Sequence, residues 1–179
     1  MNKVSIFLFM LAAPILLATT VVPMDIERLT SLSTHIVEAR AGQSVSQWNP
    51  EHTLILTYTT FEVQRTLKGQ TPKTILVRQL GGSIAGVSQK VAGVRPWRQG
   101  EDAVLFLQPS SIADGALVVT GLMQGDFLMR HTAQGETFVS NGMPEASALH
   151  AATGEVTTYR GTKLRLEDLE SRIHMAVTK

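Results

Sequence analysis

The sequence contains no cysteine. That single absence removes disulfide staples, thiolate chemistry and any cysteine-linked lipid anchor, so packing alone must stabilise the chain. Charge of one sign is also missing, with 16 Lys and Arg against 15 Asp and Glu. A surface that grips nucleic acid or an anionic membrane needs a basic excess on one face, and neither partner is expected here. The five histidines, His35, His52, His131, His150 and His174, are scattered, and no His-Glu-x-x-His occurs. No metal site and no cofactor site is therefore expected.

Long apolar runs are absent after the first twenty residues. Within them, Lys3 precedes an apolar stretch from Ile6 to Ala18, followed by the small residues Ala18-Thr19-Thr20. This is the pattern of an export signal. As a helix at about 1.5 Å per residue it would span only about 20 Å, short of a bilayer core of about 30 Å, and Pro14 interrupts it. The expectation is a signal peptide over 1–20 and a periplasmic or secreted product with no stable membrane anchor once it is removed. Removing Lys3 leaves 15 of the 16 basic side chains against 15 acidic ones, a net charge of zero.

The remainder has the length of one domain with its own core. Asp25 precedes Ile26, Leu29 and Leu32 at three-residue spacing, which predicts a short capped helix. From Ile36 to Trp48, and again from Thr53 to Leu67 beyond the turn-like Asn49-Pro50-Glu51, β-branched and aromatic residues predict a long hairpin. In the second of these strands neither face is apolar throughout, as happens where a strand bends at the corner of a small barrel.

Further strands are predicted at 74–80, 103–107, 115–120, 126–131 and 137–140, with the continuous run Ala103 to Leu107 reading as a strand buried on both sides. Short connections predict antiparallel pairing throughout. Residues 82–100, rich in glycine, read as a loop or a frayed strand, and 141–161 as a mobile linker. Leu166, Leu169, Ile173 and Val177 predict a terminal amphipathic helix within 162–179. The expected fold is mainly β: a small antiparallel OB-like barrel over 21–140 with a short N-terminal helix and a C-terminal amphipathic helix.

Catalytic constellations fail for want of a partner residue. Gly81-Gly82-Ser83-Ile84-Ala85-Gly86 approaches a nucleophile elbow, but Ala85 stands where the second glycine belongs and no helical pattern follows. No catalytic residue is assigned. The alternative, a secreted hydrolase using Ser83 with His35 or His131, is carried as the competing reading. His52 beside Glu51 reads as a solvated turn residue. Trp48 ends the first long strand, and Trp97 lies between Pro96 and Arg98 in the glycine-rich segment. Both tryptophans read first as lids over the barrel ends. If a surface binds a protein or peptide partner in the cell envelope, Trp48, Trp97 and Arg98 with residues 81–100 are where it would be met.

Three stretches carry a resemblance: Ser33-Thr34-His35-Ile36-Val37-Glu38-Ala39-Arg40, then Tyr58-Thr59-Thr60-Phe61-Glu62-Val63-Gln64-Arg65-Thr66-Leu67-Lys68-Gly69, then Gly100-Glu101-Asp102-Ala103-Val104-Leu105-Phe106-Leu107. Together with the preceding helix they resemble exported bacterial modules of unknown function, some of which precede a matrixin-like metalloprotease domain. More distantly, the order of elements looks like the netrin-like fold of tissue inhibitors of metalloproteinases, an OB-type barrel. The resemblance covers about residues 24–130 in strand sequences without catalytic side chains, so it implies a fold much more than a function. The expectation of an exported, non-catalytic binding or accessory domain comes from the failed catalytic constellations. The inhibitors chelate zinc through an N-terminal cysteine, so their mechanism does not carry over to a chain that has none.

Overall fold

The computed structural model describes residues 20–91, 93–141, 146–149, 156–159 and 161–178. The expected signal peptide lies outside these residues except for Thr20.

Strand β1 (Thr20–Val21) precedes helix α1 (Ile26–Leu32). Asp25 caps α1 by accepting the Arg28 N–H at 2.6 Å, and Ile26 and Leu29 are buried beneath it. Strands β2 (His35–Trp48) and β3 (Ile55–Lys68) form the long hairpin. Its tip is held by Asn49, whose side-chain oxygen accepts the N–H groups of Thr53 and Leu54, each at 2.8 Å. The chain continues through β4 (Thr74–Leu80), the small hairpin β5 (Gly82–Ile84) and β6 (Val87–Gln89), then β7 (Asp102–Pro109) and β8 (Leu117–Val119). A 3-10 turn at Leu122–Gly125 leads into β9 (Asp126–His131), β10 (Thr137–Ser140), β11 (Ala146–Leu149), β12 (Val156–Tyr159), β13 (Lys163–Arg165) and helix α2 (Leu166–Val177).

Strands β7, β2, β3, β4 and β8 close into a ring, because β8 pairs with β4 on one side and with β7 on the other. The fold is the expected mainly β, OB-like barrel with a helix at each end, with one correction. The pairing of β4 with β8 is parallel, Val77 opposite Leu117 and Arg78 opposite Val118. A closed ring with an odd number of strands cannot alternate direction all the way round, so one parallel pair is a geometric necessity. Short local connections could not reveal it, since β4 and β8 are joined through three intervening strands.

Strand β7 divides the molecule. Ala103, Leu105 and Leu107 point into the barrel with Val37, Ala39, Phe61, Val77 and Trp97, while Val104 and Phe106 join Ile26, Leu29, Phe127, Leu169 and Ile173 under the helices. Period-two alternation therefore feeds two cores from one uninterrupted apolar run. Along one edge β7 also changes partner, bonding β9 through Ala103–Leu105 and β8 through Leu107–Pro109. Strands β9, β10 and β13 extend the sheet outward, and α2 docks beneath it against α1, where Arg172 bonds Glu27 at 2.8 Å and Arg65 bridges Glu38 and Glu170.

Two segments depart from expectation. Residues 82–100 contain the β5–β6 hairpin, turned at Ala85 and Gly86, both at positive φ. Where a linker is expected over 141–161, the described residues include two strands: β11 pairs antiparallel with β12 and parallel with β1.

Candidate functional site

The glycine-rich segment folds over one end of the barrel because polar groups fasten it at several points. The Gly81 N–H donates to the Ile55 carbonyl at 2.7 Å, and the Gln89 side-chain oxygen accepts the Ile55 N–H at 2.7 Å. Gly82 has φ of 140° and lies against the hydroxyls of Thr57 and Ser46, where no Cβ fits. Farther on, the Gln79 amide donates to the Arg95 carbonyl at 3.1 Å.

Arg95 and Trp97 meet a carboxylate that is 3% exposed. Both oxygens of Asp126 accept from the Arg95 guanidinium, at 3.0 and 3.1 Å, and Asp126 also accepts the Trp97 indole N–H at 3.0 Å. Arg95 reaches Glu101 at 2.6 Å as well. Burial pushes the Asp126 carboxyl above its ordinary range, against the pull of Arg95. Burial also acts to raise Glu101, but the Arg98 backbone N–H and the Arg95 guanidinium outweigh it and hold Glu101 below the usual carboxylate range. For Arg95 itself, burial opposes the charge and the two carboxylates override it, so its pKa is raised.

Between this fastened segment and the hairpin lies a cleft of about 950 Å³. One wall is a hydroxyl ladder: Ser44 with Thr59 at 2.7 Å and Ser46 with Thr57 at 2.8 Å, with Thr57 donating to the Gly81 carbonyl at 2.6 Å. The other wall carries Val91, Val94 and Pro96, and Trp97 also lines the space. Among the described residues, Lys90 is the single charged residue lining it. A second cleft of about 710 Å³ shares Val94, bordered by Leu54, Leu80, Ile112 and Leu122 among others.

The three residues singled out from the sequence are not brought together. Trp97 is 7% exposed and stands edge-on to Phe61, as a barrel lid does, while still lining the cleft. Arg98 is exposed beside it. Trp48 is half-buried at the hairpin tip, stacked on His52 at 6.2 Å, and lines neither cleft. The Ser83 hydroxyl is exposed and bonded to Ser88 at 3.1 Å, whereas His35 bonds Thr34 and His131 bonds Thr137. Among the described residues no His, Asp and Glu side chains gather as a metal-binding group, and no helix is long and apolar enough to cross a membrane.

Sequence reading missed Arg95, Glu101 and Asp126. Asp126 stands 31 positions from Arg95 in the chain, so no local spacing links them. The available signal was an acidic residue opening the otherwise apolar strand Asp126-Phe127-Leu128-Met129.

What the fold defines is a class, the OB-like barrel with flanking helices. Comparison of the sequence with protein-family models and with the curated proteins gives no match.

Proposed function

We propose that this chain is an exported, non-catalytic binding or accessory domain that engages a protein or peptide partner in the cell envelope. The observation that carries the reading is the open cleft of about 950 Å³ beside the barrel, lined by hydroxyls on one wall and aliphatic side chains on the other, with Lys90 as its single charge among the described residues. Such a lining suits an uncharged or weakly acidic polypeptide better than a phosphate backbone. The competing Ser83 hydrolase needs a base at the serine hydroxyl, and that hydroxyl is bonded to Ser88.

Selection of random displayed peptides on the immobilised protein tests the reading. Enriched peptides should lose binding to a Val94→Asp variant that keeps its thermal midpoint. Absence of enrichment, or ester and peptide turnover abolished by Ser83→Ala, overturns it.

A further inference from the structure

Strand β2 is covered unequally on its two sides. Strand β3 follows it along its length, but β7 pairs only with His35–Arg40. The Gly100 N–H donates to the Ala41 carbonyl at 2.7 Å, and the Ala41 N–H donates to Glu101 at 2.8 Å. There the neighbouring chain leaves for Trp97, and among the described residues no strand pairs with Gly42–Trp48 of β2 on the side away from β3.

The direction of its backbone groups follows from the ladder. The Asn49 N–H donates to the Leu54 carbonyl at 2.8 Å, so by alternation Gln47 and Val45 bond β3 and the N–H and C=O groups of Ser44, Ser46 and Trp48 face away. Across the hairpin Ile55, opposite Trp48, confirms the phase: its N–H and C=O turn away from β2, to Gln89 and Gly81. Among the described residues nothing bonds the outward groups of Ser44, Ser46 and Trp48.

Natural proteins blunt such an edge with Lys, Pro or a covering loop. Here Gln43-Ser44-Val45-Ser46-Gln47 is uncharged, and Val45 is 61% exposed. The bulge between Ala41 and Ser44 swings the edge out of the β7 lane, and the cleft opens along the inner side of Ser44 and Ser46.

We propose that Gly42–Trp48 of β2 accepts an extended peptide as an added strand, in the lane that β7 vacates. The proposal rests on the cleft reading above and deepens it by fixing the mode and the ligand class. Alternate side chains of the guest enter the cleft toward Val91, Val94 and Pro96, and the others lie beside Val45. With Lys90 as the one charge among the described residues of the lining, and no acid among them, the favoured guest carries an acidic residue and no basic one on its inward face.

The probe is an acetylated, amidated peptide of alternating threonine and valine with one central glutamate, titrated into the nitrogen-15-labelled protein. Amide shifts are expected at Ser44, Ser46 and Trp48 and along residues 88–97. Two derivatives carry N-methyl groups on every second residue, in opposite phases. The phase that removes the N–H groups facing β2 should weaken binding at least tenfold, and the other phase should leave it nearly unchanged. Val45→Lys, on the outer face, should weaken binding at least tenfold with an unchanged thermal midpoint. Ser46→Pro, which removes an outward N–H and keeps the backbone ladder to β3 while losing the hydroxyl bond to Thr57, should weaken binding at least tenfold. Ser46→Ala, which loses the same hydroxyl bond but keeps the N–H, should not.

Equal binding of both methylated peptides, or shifts confined to another surface, overturns strand addition while leaving the cleft reading intact. Absence of binding by the parent peptide overturns it as well, and the displayed-peptide selection then decides the cleft reading separately. Concentration-dependent dimers that Val45→Lys dissolves would assign the edge to a second copy of this chain and overturn the peptide proposal.

Discussion

The indole of Trp97 stands at 89° to the ring of Phe61, with centroids 4.8 Å apart, while its N–H is donated to the buried carboxylate of Asp126. One side chain thus closes the barrel interior and satisfies a charged group from another element. Trp97→Ala should cost about 3–5 kcal/mol, the range for truncating a buried large aromatic. Trp97→Phe keeps the apolar contact and leaves an Asp126 acceptor unmet, at about 1–3 kcal/mol. Denaturant midpoints check both, and an unshifted midpoint for Trp97→Ala would contradict the lid.

Arg95 holds Asp126 in place, so Arg95→Met strands a buried carboxylate and should destabilise by about 3–5 kcal/mol. Adding Asp126→Asn should recover part of that loss. The pH dependence has a definite sign. A carboxyl whose folded pKa is raised contributes fully below its unfolded value, about 4, and loses that contribution as pH rises through the folded value. Without Arg95 the folded value climbs further, so the stability gap between wild type and Arg95→Met should widen in urea titrations as pH rises from about 4.

Asp102 has the opposite sign. Its hydrogen bond from Arg40 at 2.8 Å holds its pKa below the ordinary range, with partial burial acting the other way. Its contribution is present above about pH 4 and fades as pH falls through the folded value. Asp102→Asn should therefore flatten the acid limb of the stability profile and lower stability near neutrality by an amount that does not vary with pH. An unchanged acid limb would remove this pair from the account.

Gly82 is the tightest backbone position of the cleft, at φ of 140° and against Thr57 and Ser46. Gly82→Ala adds both a strained conformation and a steric overlap, and should cost about 1–3 kcal/mol. Gly86, at φ of 85° with open space around it, isolates the conformational part, so Gly86→Ala should cost less. Thermal midpoints of the two variants give the comparison.

The elements that the sequence made legible are those written in local pattern. The Asp25 cap, the β2–β3 hairpin around Asn49, the doubly buried run of β7 and the spacing of Leu169 and Ile173 each depend on neighbours a few positions apart. Barrel closure through Val77 and Leu117 was hidden, because strand pairing between distant segments leaves no periodic trace. The site was half legible: residues 81–100 drew notice through their glycines, and Trp97 through its type. What fastens them, Arg95 to Asp126, and the unpaired side of Ser44, Ser46 and Trp48 exist only once the bulge after Ala41 and the exit of the chain at Gly100 are known.

The parallel contact of Val77 with Leu117 also sets a clock. Strands β4 and β8 can meet only after the chain between them has folded back, and the entropy of that closure is spent before the contact returns any stability. A ring joined in this way belongs with the slow, non-local topologies that fold in milliseconds to seconds. Until the ring closes, β4 and β8 each keep one unpaired edge, so the interval before closure is when a holding partner would protect the chain most.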